Sequence, residues 1–273
     1  MTGSTSSSSN NTTEWLQFDS SSSSDADQDI LFHYSYKFAL GGNYVSPINK
    51  NNLKTCLDIN YGSGSWMMEM ATEFPETMFY GIDHDPRTPD LVYPPNCIFQ
   101  RGDFLKELPY PNNSFDYLHI QNTLFWIEDE KLKSLLSDAL RVTRGGRYIE
   151  FLEQGLQTKN AGPLLTKYIE VWKQIREARA IGSLVSQIED LFREKAEIQI
   201  KNFYVPIGKW AGFSGEFFLS ALKLFILETA SLTSEILNLR TEDDYKNFVE
   251  KIGEECELHK PSVNIYVGYA QKL

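Results

Sequence analysis

The chain reads as an α/β protein built on a mostly parallel sheet with helices on both faces. Three observations predict this. Strand-like apolar runs alternate with helix-periodic segments from residue 55 to residue 151. The first run, Thr55-Cys56-Leu57-Asp58-Ile59, breaks into Asn60-Tyr61-Gly62-Ser63-Gly64 and then into a helical stretch carrying Trp66, Met67, Met70, Ala71 and Phe74 on one side. A second run, Met78-Phe79-Tyr80-Gly81-Ile82-Asp83, ends in an acid 19 positions beyond Gly64. Strand, glycine turn and helix form a nucleotide-binding unit, because the turn points backbone N–H groups at a ligand near the positive helix end. An acid at a spacing of about 20 suits ribose hydroxyls, although it also suits a turn cap before Asp85-Pro86.

Ahead of this unit, residues 1–28 are dominated by Ser, Thr and Asn and cannot bury enough apolar surface to order themselves. A disordered tail is expected there, either a passive extension or a phosphorylated one. Residues 30–40 carry Leu31, Tyr34 and Phe38 at helical spacing before the Gly41-Gly42 stop, and the helix reading is preferred to a strand. Such a leading helix can lie across a ligand cleft. Residues 97–100 form a short third strand, followed by Gly102-Asp103-Phe104, whose carboxylate and ring could meet the amine and face of an adenine. The turn cluster 108–114 leads into a fourth strand, residues 115–120. Residues 130–141 are helical, with Gly145-Gly146 expected to end the helix, and residues 147–151 form strand five.

The last third changes character. Helices are expected over 163–180, 183–196 and 216–237, a strand over 198–205, and a capped helix from Thr241-Glu242-Asp243-Asp244. A strand over 263–269 closes the chain. These helices are where a substrate pocket, a lid or a dimer surface would sit.

The 273 residues carry a net charge of −11. That balance argues against a broad nucleic-acid footprint, and Arg141, Arg144 and Arg147 are better explained by a nearby helix end. Cys56, Cys97 and Cys256 are scattered without metal or disulfide spacing, which fits a reducing compartment. The N-terminal stretch lacks a signal-peptide pattern, and the apolar run 217–227, interrupted by Lys223, is too short to span a bilayer. An intracellular, cytoplasmic protein is expected, the nucleus remaining open, with no membrane, nucleic-acid or metal partner. His119, inside an apolar strand, reads better as a hydrogen-bonded core residue than as a general base.

Taken together, these motifs resemble class I S-adenosylmethionine-dependent methyltransferases, especially the fungal branch similar to regulators of secondary metabolism. The resemblance rests on Asp58 followed by Gly62-Ser63-Gly64, on residues 38–44, on Gly81-Ile82-Asp83, on residues 111–116 and on Arg144-Gly145-Gly146-Arg147. It covers residues from about 30 to the C terminus as a single domain and implies a Rossmann-like seven-stranded sheet whose last strand is antiparallel. It implies S-adenosyl-L-methionine as cofactor and a small-molecule acceptor. Asp58, Asn60, Gly62 and Gly64 would hold the methionine moiety, Asp83 and His84 the ribose side, Asp103 and Phe104 the adenine, and Gln121 the neighbourhood of the sulfonium. The catalytic residue is left unassigned, since an activated methyl donor needs a base only when the acceptor must lose a proton.

Asn60 stands where the family has its first glycine and Tyr61 where it has a small residue. These departures motivate a second expectation, a methyltransferase-fold regulatory or scaffold protein with a protein partner. A nicotinamide-dependent oxidoreductase ranks third, because Met67 occupies the position where that fingerprint needs glycine.

Overall fold

The structure, a computed structural model, describes residues 23–85 and 93–273. The chain begins with helix α1, Ser23–Leu40. It continues through strand β1, Thr55–Ile59, helix α2, Ser65–Glu73, strand β2, Met78–Asp83, strand β3, Cys97–Arg101, and strand β4, Phe115–Gln121. Helix α3, Asp129–Val142, runs directly into β5, Thr143–Lys159. Helices α4, Pro163–Ala178, and α5, Leu184–Phe192, precede β6, Ala196–Pro206. Helices α6, Gly212–Glu228, α7, Ala230–Leu237, and α8, Glu242–His259, lead to the last strand, β7, Ser262–Lys272.

One seven-stranded sheet has the order β3-β2-β1-β4-β5-β7-β6. The first five strands are parallel, and β7 pairs antiparallel with both β5 and β6. Parallel strands need covering helices on both faces, and the packing supplies them. Leu57, Ile59, Leu118 and Ile120 pack with Leu132, Leu135 and Leu136 of α3 and with Ile188 and Phe192 of α5. Cys56, Phe79 and Tyr117 face the opposite way onto Trp66, Met67 and Met70 of α2. A third cluster joins α1, α4, α6, α7 and α8 over the β5–β7 side of the sheet.

Helix α1 is fixed over the strand ends by α6. Phe32 meets the edge of Phe218 at 5.4 Å, and the Ser35 and Ser214 hydroxyls each donate to the other residue's carbonyl. Gly41 closes α1 with φ 78 and donates its N–H to the Lys37 carbonyl, as the glycine stop predicts. The helix starts at Ser23, earlier than the expected tail boundary at residue 28, and the rest of the Ser-rich tail lies outside the described residues.

Two local expectations change. Gly145-Gly146 does not terminate α3: the chain turns extended at Thr143, which pairs with Phe115, and Gly146 at φ 72 sits within β5 near the register shift between Phe115 and Tyr117. The apolar region 216–237 divides at Thr229, which separates α6 from α7. By length and composition, the helical run Lys209–Glu228 is apolar enough to cross a membrane, longer than the run counted from sequence. Its Phe218, Ala221, Leu222 and Ile226 are buried in the protein core.

The capping box of α8 forms as the sequence predicts, with Thr241 accepting from the Asp244 N–H and Asp244 accepting from the Thr241 N–H. Thr241→Ala should cost about 1 kcal/mol in urea unfolding, and an unchanged midpoint would show that α8 does not depend on its cap.

Candidate functional site

The glycine turn leaves β1 at its carboxyl end and folds back on itself. Asn60, Gly62 and Gly64 all take left-handed angles, with φ 61, 54 and 74. Asparagine tolerates that region better than most residues, so Asn60 preserves the path a glycine would take. Its N–H donates to the Ile82 carbonyl and its side-chain amide to the Thr123 hydroxyl, tying the turn to β2 and to the loop after β4.

Tyr61 is accommodated by another glycine. Its ring packs on Gly81, where a Cβ would lie 2.6 Å from Tyr61 Cδ1, and it meets Phe99 edge-on at 5.1 Å. The large residue in the turn and the bare position in β2 are thus complementary.

Gly62 then donates its N–H to Asp83 Oδ2 at 2.9 Å, while Asp85 donates to Oδ1 at 2.8 Å. Asp83 is 2% exposed. Each carboxylate oxygen keeps acceptor capacity beyond these bonds. A Cβ at Gly62 would run into the Asp29 carboxylate of α1, so glycine is required here by contact as well as by backbone angle.

Deeper in the cleft, His119 Nδ1 lies 2.8 Å from Asp58 Oδ1, and Trp66 stacks on the imidazole at 3.7 Å. Burial raises the Asp58 pKa, and the neighbouring His119 opposes that rise. His119 is therefore a partnered core histidine whose ring borders the cleft. On α1, His33 shares Glu69 with Lys37. The hydrogen bond from His33 is the main cause that holds the Glu69 carboxyl down at about 2.

The loop after β4 is held from below by a buried carboxylate. Glu153 accepts N–H bonds from Thr123, Leu124 and Phe125 at 3.0, 2.9 and 3.2 Å. Arg176 donates to the Phe125 and Gly182 carbonyls. This clamp presents Asn122, in a left-handed conformation at φ 49, toward the cleft, where Tyr36 donates to its Oδ1 at 3.0 Å. Burial pushes the Glu153 carboxyl up to about 7 against the pull of the three N–H bonds and Arg176.

These elements line an open cleft at the carboxyl ends of β1, β2 and β4. Of the residues named from sequence, Asp58, Asn60, Gly62, Asp83, His84 and Gln121 line it. Gly64 shapes the turn as the N-cap of α2 without lining the space. Asp103 and Phe104 are not among the residues that line it. Asp103 is exposed, accepts the Leu105 N–H and lies 3.4 Å from Lys106, while Phe104 is buried next to His84 at 5.8 Å. Sequence reasoning missed Asp29, His33, Ser65, Trp66 and Asn122 as lining residues. The spacing of Asp29 and His33, four apart on one helix face, was the available signal. Trp66 gave none, since an aromatic residue on an apolar helix face reads as core. Arg144 and Arg147 pair with buried Asp116 at the opposite end of the sheet.

A second open cleft adjoins the first and shares Asp29, Asn60 and Asn122 with it.

Residues 56–146 match a family model described as a methyltransferase domain. The chain is 33% identical over 174 residues to methyltransferase str2 of Strobilurus tenacellus, covering 61% of this chain and 62% of that protein. It is 30% identical over 133 residues to the secondary metabolism regulator laeA of Coprinopsis cinerea, covering 46% and 33%. The chain thus spans less than two thirds of the length of these curated relatives. The solved structure of the YcgJ protein from Bacillus subtilis shares the fold, with a TM-score of 0.51 at 15% identity over 89% of this chain and 98% of that one.

Glu153 makes the loop clamp pH-dependent. Between roughly pH 4.5 and pH 7 the folded protein retains a proton on Glu153 that the unfolded chain has released, so stability falls as pH rises through this window. Glu153→Gln keeps a neutral side chain of the same shape and removes that slope. Relative to wild type, the variant should gain on the order of 2–3 kcal/mol between pH 5 and pH 8 in urea unfolding. Parallel pH profiles for the two proteins would refute the assignment.

Proposed function

We propose that the chain, whose residues 56–146 match a methyltransferase-domain model, binds S-adenosylmethionine in the first cleft and methylates a small-molecule acceptor. The observation that carries this reading is the Gly62 N–H bond to Asp83, which sets a glycine turn and a strand-end acid side by side on one cleft.

The residues present fit the cofactor. Asp83 has acceptor capacity for ribose hydroxyls, and His84 stands beside it. The turn from Gly62 to Ser65, with the Ser63 and Ser65 hydroxyls, faces the space suited to an amino-acid moiety, and Asp58 and Gln121 line the same part of the cleft. Four carboxylates, from Asp29, Asp58, Asp83 and Asp85, line the cleft with no Lys or Arg among its lining residues. That charge suits a ligand bearing both a sulfonium and an ammonium. When bound, the cofactor supplies an already activated methyl group, so the protein's contribution is to position the acceptor in line and exclude water. Asp103 and Phe104 take no part in this proposal.

A regulatory or scaffold role is the second reading, supported by the likeness to the laeA regulator over 133 residues. The turn favours the enzyme: Asn60 follows a glycine-like path and Tyr61 is absorbed by Gly81. A cytoplasmic setting belongs to the same proposal and is supported by three free cysteine thiols.

Isothermal titration should detect S-adenosylmethionine and S-adenosylhomocysteine binding to the intact chain. Asp83→Ala should weaken it by at least about tenfold, since hydrogen bonds to a charged acceptor are lost. Asp103→Ala should change it less than about twofold. No binding by the intact protein would overturn the proposal.

A further inference from the structure

Asn122 lines both clefts, and one side of its amide is already committed. Tyr36 is 1% exposed, and its hydroxyl lies 3.0 Å from Asn122 Oδ1. Burial raises the Tyr36 pKa, so the phenol keeps its proton and needs an acceptor for it. That bond sets which way the amide faces. Oδ1 is taken, whereas Nδ2 has no partner among the described residues.

The backbone under this amide is equally fixed. Asn122 donates its N–H to the Leu152 carbonyl at 2.9 Å, and the next three residues donate theirs to Glu153. Asn122 is therefore a donor set in place before any ligand arrives. The second cleft adds aromatic walls from Phe32, Trp126 and Phe225. Trp172 supports two of them, its ring lying 4.8 Å from that of Trp126 and 5.4 Å from that of Phe225. Rings so supported suit a flat, apolar ligand body.

We propose that the second cleft takes a hydroxylated aromatic compound as methyl acceptor and that Asn122 selects oxygen as the atom methylated. The ring lies among Phe32, Trp126 and Phe225 and places its hydroxyl at Asn122, where the two clefts meet. A hydroxyl oxygen has two lone pairs, so one accepts the Asn122 N–H while the other attacks the methyl group. An amine nitrogen has a single pair, and a hydrogen bond from Asn122 would engage the electrons that must attack. In the transfer the oxygen gains the methyl carbon, the electron pair of the carbon–sulfur bond stays on sulfur, and the hydroxyl proton leaves to water in the open cleft. The cleft's role as acceptor site rests on the cofactor reading above, whereas its preference for a hydroxyl rests on Asn122 and the ring walls.

Isothermal titration of the full chain with 1-naphthol and 1-naphthylamine tests this, because the two share a ring and differ in the polar atom. With S-adenosylhomocysteine saturating the first cleft, 1-naphthol should bind at least about fivefold tighter than the amine. Asn122→Gly, which keeps the left-handed backbone without strain, should abolish that preference while holding S-adenosylhomocysteine affinity within about twofold, which also shows that the variant is folded. Tyr36→Phe, which frees the amide to rotate, should reduce the preference without touching the ligand. With S-adenosylmethionine, 5-amino-1-naphthol offers both atoms, and mass spectrometry should find the methyl group on oxygen. Equal or tighter binding of the amine, a preference that survives Asn122→Gly, a larger loss of S-adenosylhomocysteine affinity in that variant, methyl transfer to nitrogen or to neither atom, or no 1-naphthol binding with or without S-adenosylhomocysteine would each overturn the inference. Should the intact chain bind no S-adenosylhomocysteine yet keep an Asn122-dependent preference for 1-naphthol, the cofactor reading fails and the assigned ligand class stands.

Discussion

The hydrogen bond from the Gly62 N–H to Asp83 joins the ends of two neighbouring parallel strands, and the geometry of the cleft depends on it. A parallel sheet delivers the carboxyl ends of β1, β2 and β4 to one edge, but it does not by itself hold their loops together. Three left-handed residues in five let the turn after β1 reach the acid at the end of β2. The same compact path leaves Gly62 no room for a side chain under Asp29 of α1. Helix, turn and strand end thus constrain one another.

Around that contact, buried polar groups do the positioning that apolar packing cannot. Glu153 gathers three N–H groups of the loop after β4, Arg176 takes the carbonyl on its far side, and Glu150 accepts from Val45, Ser46 and the Ser46 hydroxyl in the segment between α1 and β1. An unmet backbone group in such places is costly, so each carboxylate specifies one loop conformation. The loops lining both clefts are therefore set by the core beneath them. The two clefts share only a short boundary, at Asp29, Asn60 and Asn122.

The framework was legible in the sequence wherever one residue pattern has one physical solution. The apolar Cys56, Leu57 and Ile59 of β1 fall on both faces of the strand and require cover on both, and the capping box at Thr241 starts α8 where its spacing says. Gly145-Gly146 misled because a glycine pair after a helix is normally a stop, whereas here Thr143 is already captured by strand pairing with Phe115.

What the sequence determined by itself was the order of strands and helices, the glycine turn, and the acid placed to meet it, all of which depend on neighbours along the chain. Tertiary structure decided how Tyr61 is tolerated, because its partner Gly81 lies on another strand. It also decided that Asp29 and His33 reach the first cleft, and that Gln28, Trp126 and Glu228 line one space. Those residues sit on α1, on the turn after β4 and at the end of α6, and only the long-range packing of α1 against α6 brings them to the same strand ends. Periodicity reports which face of an element is buried, but not which distant element covers it.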